Sequence, residues 1–137
     1  MTTREIKPAV LEAISEIRLA HRGHEVDVES DNSGGAHVTV GALSLGPVFE
    51  PSSSWVGFHI TFQYPHSDIY PHYVIAGLKR SDGVALQAPF HPNGQVWQTP
   101  ISSCPATMVS RKSNHWDPAN DTACGKLLKV LEWIRSQ

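Results

Sequence analysis

The spacing of hydrophobic residues predicts an amphipathic helix at the start of the chain. Between Thr2 and His21, apolar side chains recur at every third or fourth position, which is the spacing of one face of an α-helix. These side chains are Ile6, Val10, Ile14 and Ile17. Thr2 and Glu5 have the spacing of a capping box, whereas Pro8 lacks a backbone N–H and fits only near a helix start. The helix is therefore expected to begin between Thr2 and about Lys7.

A second apolar stripe predicts a helix at residues 121–135. Its members are Cys124, Leu127, Leu128, Leu131 and Ile134. Asp121 is suited to cap this helix, because a carboxylate accepts hydrogen bonds from the free N–H groups of the first helical turn. Cys124 on the stripe is interpreted as a small buried thiol.

Between the two helices the pattern changes to an alternation of period two, which predicts β-strands. The expected strands are residues 24–29, 37–45, 55–63 and 73–78. Residues 31–35 contain Asn32 and two glycines, which accept the positive φ angles of hairpin turns. Sequential strands with short turns favour an antiparallel four-stranded meander.

Periodicity disappears from Lys79 to Pro118, where an irregular segment is expected. A long irregular segment in a compact domain usually forms a functional surface. The order of helix, meander, long loop and helix predicts an α+β two-layer fold, and 137 residues suit one domain.

The composition of the chain limits the kinds of partner and the cellular location that we expect for it. A net charge of -2 gives no basic field for nucleic acid, and no apolar run approaches the ~20 residues of a membrane span. The N-terminus lacks the apolar core of a signal peptide, and two cysteines are too few for a disulfide scaffold. Eight histidines are present, without the paired spacing of zinc sites. The expectation is a cytoplasmic protein without a cofactor or a metal ion.

Four short motifs give the chain a family resemblance. They are Tyr64-Pro65, Pro71, His91-Pro92-Asn93 and Trp116-x-Pro118. In this order, between two helices, they make residues 4–135 resemble a ubiquitin-conjugating enzyme. The resemblance implies that family's fold, with an active-site loop opened by His-Pro-Asn and followed by the main helix. The last two helices of eukaryotic members are missing, as in shortened bacterial relatives encoded beside a ubiquitin-like protein and an activating enzyme.

The resemblance implies acyl transfer. The C-terminal carboxyl of a ubiquitin-like protein would pass from an activating enzyme to this chain and then to an amine. Such a reaction needs a nucleophile and a donor for the developing oxyanion. Asn93 matches the family asparagine that supplies this donor or holds the loop, and His91 begins the same tripeptide. Acidic residues near the family's active site are thought to act on the incoming lysine, a role for which Asp117 is the candidate.

Two residues are candidates for the nucleophile, because the family pattern would place a cysteine at about Ile101 and that place has none. Cys104 has an intrinsically nucleophilic thiolate with a free pKa of about 8.5, although Pro105 and the serines before it indicate a loop. Ser110 follows the apolar Val109, as the family cysteine follows isoleucine or valine, and would form an oxyester. The sequence slightly favours Ser110 and leaves both open.

The residues after Ser110 add to its chemistry. Arg111 and Lys112 would stabilise an oxyanion, and His115 could act as base. The same loop contains Asn114 and Trp116, and some bacterial relatives resemble this serine-containing segment. In the family the first helix binds the activating enzyme, so Arg4 and Lys7 are candidate partner-binding residues.

Two other functions remain open at this point. The displaced nucleophile fits a catalytically inactive module of the same fold that binds or scaffolds a ubiquitin-like protein. The number of histidines allows a small hydrolase or metal-dependent enzyme. The histidines considered for it are His66, His72, His91 and His115, with His66 and His72 the first pair to examine.

Overall fold

Two helices flank an antiparallel sheet in the computed structural model of the chain, which describes residues 5–137. The first helix, α1, is Pro8–Ala20, and the second, α2, is Ala123–Arg135. The expected α+β architecture, with an N-terminal helix, a C-terminal helix and an antiparallel sheet, is confirmed. No helix within the described residues is long and apolar enough to cross a membrane.

Eight strands lie between the helices. They are β1 Val26–Ser30, β2 Ala36–Ser44, β3 Phe49–Glu50, β4 Ser53–Ile60, β5 His72–Ile75, β6 Lys79–Arg80, β7 Phe90–Gln98 and β8 Ser103–Val109. Six of them form one sheet in the order β1-β2-β4-β5-β8-β7, and β3 pairs with β6 separately. The four strands of the expected meander correspond to β1, β2, β4 and β5.

The expected irregular segment is wrong in part, because residues 79–118 contain the hairpin β7–β8, which enlarges the sheet to six strands. Since β8 rather than β7 lies beside β5, the hairpin does not continue the meander. Alternation is hard to recognise in β7, since a register shift lies between His91 and Gln95 at the sequence Pro-Asn-Gly. A bulge of this kind interrupts the period of two from which strands are predicted. The irregular chain that remains is shorter and consists mainly of residues 81–89, before β7, and of the loop 110–122 between β8 and α2.

The hydrophobic core lies between the helices and one face of the sheet. Alternate residues of each strand point towards the helices, as the period of a strand requires. The buried core includes Val10, Ile14 and Ile17 of α1, Val38, Phe58, Ile60, Val74 and Val109 of the sheet, and Leu127, Leu131 and Ile134 of α2. The C-terminal end of β8 is thereby fixed beneath α2.

The two helix starts differ in detail from the expected ones. Pro8 is the first residue of α1 and Lys7 is its cap, while Thr2 of the expected capping box lies outside the described residues. The cap of α2 is Thr122, whose Oγ1 accepts a hydrogen bond from the Gly125 N–H at 3.0 Å, so the expectation of Asp121 is wrong by one position.

Candidate functional site

The strand β7, which begins with Phe90-His91, runs beside β8, and Ser110 directly follows the end of β8. The antiparallel register pairs Phe90 with Val109 and His91 with Met108. Immediately after this pairing, the Ser110 N–H donates to the Pro89 carbonyl at 2.9 Å. Because β7 is an edge strand, the start of the His-Pro-Asn tripeptide and Ser110 lie together at the border of the sheet.

Asn93 lies in the bulge of β7, and its side chain is exposed. Pairing resumes at Gln95, which lies opposite Ala106, so Asn93 is displaced along β8 away from Ser110. The Asn93 side chain makes no hydrogen bond with another described residue. The sequence motifs predict that Asn93 and Ser110 share one site, but the register of β7 against β8 places them apart.

Cys104 lies near the other end of β8, opposite Trp97. Six residues separate it from Ser110, and a strand rises about 3.3 Å per residue, so the two are roughly 20 Å apart. Cys104 is half-buried and borders an open cleft on the face of the sheet remote from the helices, next to Trp97 and Ile101. The two candidate nucleophiles therefore belong to different surfaces.

Loop 110–122 and the first residue of α2 contact the segment of residues 61–71, which joins β4 to β5, through four interactions, three from the loop and one from the helix. The Trp116 Nε1–H donates to the Pro65 carbonyl at 2.7 Å, and the Ser113 N–H donates to Asp68 Oδ2 at 2.7 Å. The other two join Lys112 to the Tyr70 ring, 5.7 Å from its centroid, and the Ala123 N–H to the Tyr64 hydroxyl at 3.1 Å. Higher residue numbers in the loop contact lower residue numbers in segment 61–71, so the two segments run antiparallel.

A buried ion pair lies at the centre of these contacts. Lys126 of α2 is 5% exposed and Asp68 is 9% exposed, and the Lys126 Nζ lies 3.0 Å from Asp68 Oδ1 and 3.1 Å from Oδ2. Lys126 also donates to the Ser113 Oγ at 2.6 Å. Hydrogen bonds from Ser113 and Ile69 complete the surroundings of the carboxylate.

The pKa values of this pair reflect burial and hydrogen bonding in opposition. Burial raises the pKa of Asp68, but the Ser113 N–H and the Lys126 ammonium outweigh it, so the net pKa lies below the ordinary value. Burial lowers the pKa of Lys126, and the hydrogen bonds that its ammonium donates to Asp68 oppose that shift in part. Both charged groups of the pair have hydrogen-bond partners, but removing them from water costs free energy.

Two cations occupy the loop between Ser110 and Ser113. The Arg111 guanidinium lies 4.4 Å from the centroid of the Trp133 ring, within the range of a cation–π contact. Lys112 lies over Tyr70. An open cleft of about 240 Å³ separates this loop from α2, and Ser113 and Lys126 contribute to its lining.

The remaining residues predicted in the loop are less closely associated with Ser110. Asn114 and His115 are exposed and border the cleft, but neither side chain makes a hydrogen bond with another described residue. Asp117 accepts hydrogen bonds from Asn120 and from the Ala119 N–H, and the Asn120 contact is the main cause of its lowered pKa. The structure thus gives Asp117 a role in the local turn, and it supplies Ser110 with no hydrogen-bonded base among the described side chains.

The two histidines first considered for metal binding differ completely in environment. His66 is exposed, whereas His72 is fully buried and neither of its ring nitrogens has a partner within the described part of the chain. Burial, with a smaller contribution from Lys126, lowers the pKa of His72 to about 3. Among residues 5–137, no group of three or more His, Cys, Asp or Glu side chains is arranged to hold a metal ion.

Other predicted residues lie away from the loop. Lys7 is exposed near the start of α1 and its Nζ lies 5.2 Å from the centroid of the Phe62 ring, while Arg4 lies outside the described residues. Cys124 is half-buried and its Sγ donates to the Glu16 carbonyl at 3.8 Å. Burial raises the pKa of its thiol, which disfavours the reactive thiolate.

Asp68, Ser113 and Lys126 were not identified from the sequence. One signal was available for Lys126. It lies three residues after Ala123 and four before Val130, both of which are buried, so a lysine interrupts the apolar face of α2. A charged residue at such a position is rarely buried unless it is paired, which predicts a buried acidic partner but does not identify it.

No protein-family model matches the chain, and neither a curated protein nor a solved structure is significantly similar to it. The resemblance to ubiquitin-conjugating enzymes therefore depends on the sequence motifs alone.

Proposed function

We propose that the chain is a conjugating enzyme for a ubiquitin-like protein. It accepts the modifier's C-terminal carboxyl from an activating enzyme on Ser110 and transfers it to an amine. One observation carries the proposal: motifs that are distant in sequence meet around one loop. Trp116 donates a hydrogen bond to Pro65, the start of α2 donates one to Tyr64, and His91, the second residue of β7, lies beside the end of β8.

The transfer takes place in two steps. First, an ester bond forms between the Ser110 Oγ and the modifier's carboxyl carbon as the bond to the activating enzyme breaks, and the hydroxyl proton leaves with the departing group. Next, the amine nitrogen attacks the ester carbon, an amide forms, and Ser110 recovers a proton. In each step negative charge develops on the carbonyl oxygen, and nearby cations stabilise it. Arg111 and Lys112, the two residues after Ser110, supply them.

Intact mass spectrometry tests this function directly. The protein is incubated with its ubiquitin-like protein, activating enzyme and ATP, and the adduct is then treated with thiol or with hydroxylamine. We expect a thiol-stable, hydroxylamine-labile adduct that is absent from Ser110→Ala and present in Cys104→Ala. A thiol-labile adduct that only Cys104→Ala abolishes would move the nucleophile to the remote end of β8.

A second candidate is a catalytically inactive module of the same fold that binds the modifier. It is favoured by the Ser110 hydroxyl, which has no hydrogen bond to a described side chain that could remove its proton, and serine is a weak nucleophile without a base. In the same assay this candidate predicts no adduct on the wild type when the activating enzyme itself becomes loaded.

A further inference from the structure

The geometry points to the ion pair between Lys126 and Asp68, acting through Ser113, as the device that positions the nucleophile loop. This inference rests on the proposed function, since it gives a purpose to holding Ser110 in one place. Lys126 and Asp68 are not expected to contact the reacting atoms. They are positioning residues.

The hydrogen bonding of the pair is saturated on both sides. Lys126 directs its Nζ at both oxygens of Asp68 and at the Ser113 Oγ, at 3.0, 3.1 and 2.6 Å. Asp68 Oδ1 also accepts from the Ile69 N–H, and its Oδ2 accepts from the Ser113 N–H, both at 2.7 Å. Ser113 is therefore held through its backbone and its side chain, by one partner on segment 61–71 and one on α2.

This restraint reaches Ser110 because the connecting chain is short. Ser110 and Ser113 are three residues apart, a span of at most about 10 Å even when fully extended. The other end of the interval is fixed by the Ser110 N–H bond to Pro89 and by the pairing of Val109 with His72 and Phe90. With both ends held, the interval has little freedom to move the Ser110 hydroxyl.

Stability alone does not account for placing this pair in the interior. The desolvation of two buried charges cancels much of their attraction, and apolar residues of similar volume often stabilise a core as well or better. A fixed pair does, however, define one arrangement of the loop. Rates of acyl transfer are sensitive to displacements of about 1 Å, so a loop with several arrangements would retain the fold and lose speed.

The experiment separates loop position from overall stability by two kinds of variant. Ser113→Ala removes the hydroxyl that Lys126 contacts, whereas Ser113→Thr keeps a hydroxyl. The paired substitution Asp68→Asn with Lys126→Met removes both charges together, so neither is left buried and unpaired. Lys129→Met is the matched control, since it removes the same charge one turn along α2 from a side chain that is 72% exposed.

Hydrogen exchange of the free protein gives the first measurement, and it requires no partner. We expect the amides of residues 110–113 to exchange about tenfold faster in Ser113→Ala and in the neutral double variant, which corresponds to the loss of about one hydrogen bond to a charged group. Ser113→Thr and Lys129→Met should resemble the wild type. Equal exchange in all of them would overturn the proposed restraint, whatever the activity of the protein.

The loading rate gives the second measurement. At saturating activating enzyme, Ser113→Ala and the double variant should form the adduct about tenfold or more slowly, with an unchanged half-saturating concentration and with the protein still folded at the assay temperature, as its unfolding midpoint verifies. Unchanged rates in both would overturn the positioning role. If the wild type forms no adduct, the proposed function fails, and the positioning role fails with it even where exchange shows that the loop is held.

Discussion

His72 shows how much a single residue depends on its surroundings. Its ring is fully buried beside Phe58, with 5.2 Å between ring centroids, and the charges nearest to it are Lys126 and Asp68. An imidazolium in this place would lose its hydration and gain no hydrogen bond, which is why the pKa falls from 6.5 to about 3. The residue is therefore neutral at physiological pH and contributes shape rather than charge.

This burial predicts a specific loss of stability in acid. Because the folded pKa lies below the unfolded value of 6.5, the unfolded chain takes up the proton first as the pH falls. The free energy of unfolding should decrease through this group by about 1.4 kcal/mol per pH unit from 6.5 down towards 3. The variant His72→Leu should remove that slope, and urea unfolding between pH 6.5 and 4.5 measures it.

The range above pH 4.5 keeps the measurement largely clear of Asp68, because its pKa is lowered in the folded protein and its contribution is lost as the pH falls below the unfolded value of 3.8. Replacing the exposed His66 by glutamine serves as control and should leave the slope unchanged. At pH 7, His72→Leu should be as stable as the wild type or more so, since it removes two unpaired buried nitrogens. An equal pH slope in His72→Leu and wild type would contradict this account.

One aromatic side chain of the hairpin β7–β8 reaches across the sheet to β4 and β2, strands with which the hairpin is not paired. Trp97 of β7 lies across Gly57 of β4, and its Nε1–H donates to the Thr39 Oγ1 at 3.1 Å. The Tyr73 ring lies 5.2 Å from the Trp97 ring, centroid to centroid. Trp97 is buried but does not belong to the main core, so it covers the face of the sheet that the helices leave open.

The close approach of Trp97 makes Gly57→Ala a test of this packing. A Cβ at position 57 would lie 2.5 Å from Trp97 Cε2, so the indole must move and its bond to Thr39 must lengthen. We expect a loss of about 1–3 kcal/mol in the free energy of unfolding, measured with urea. The control is Gly41→Ala on β2, where the nearest atom would be at 3.6 Å and the cost should be small. Equal effects of the two substitutions would rule out the steric explanation.

Elements defined by local pattern were predictable, whereas those defined by distant contacts were not. The apolar stripe of α2 gives its end at Arg135 correctly, but only geometry decides whether Asp121 or Thr122 reaches the Gly125 N–H. The hairpin β7–β8 escaped prediction because the bulge after His91 breaks the alternation and because the partner of Trp97 is a glycine in another strand. In the candidate site, Asp68 and Lys126 are separated by 58 residues, a distance over which sequence alone does not pair charges.

At the scale of the whole molecule, segment 61–71 connects the sheet to everything that follows β8. Its contacts with loop 110–122 continue the antiparallel pairing of β5 and β8, since His72 pairs with Val109 directly after them. The Tyr64 hydroxyl accepts from the first residue of α2, and the Pro65 carbonyl accepts from Trp116. Adjacent residues of one segment thus fix the loop and the start of the helix together.

This arrangement predicts that the two contacts depend on each other. Tyr64→Phe removes the acceptor for Ala123, and Trp116→Phe removes the donor to Pro65, and each should cost about 0.5–2 kcal/mol in the free energy of unfolding. If the segments separate as one unit, the double variant should cost less than the sum of the single variants by at least about 0.5 kcal/mol. Urea unfolding of all four proteins measures this coupling.

Trp55→Phe is the matched control for the change of indole to phenyl, because Trp55 is half-buried on β4 and its indole nitrogen donates to no described residue. Combined with Tyr64→Phe, it should show additive costs, since the two side chains share no partner. Additive costs for Tyr64 and Trp116 as well would mean that each contact is broken independently. The loop and α2 would then be held by separate interactions, and the motifs around Ser110 would not form one structural unit.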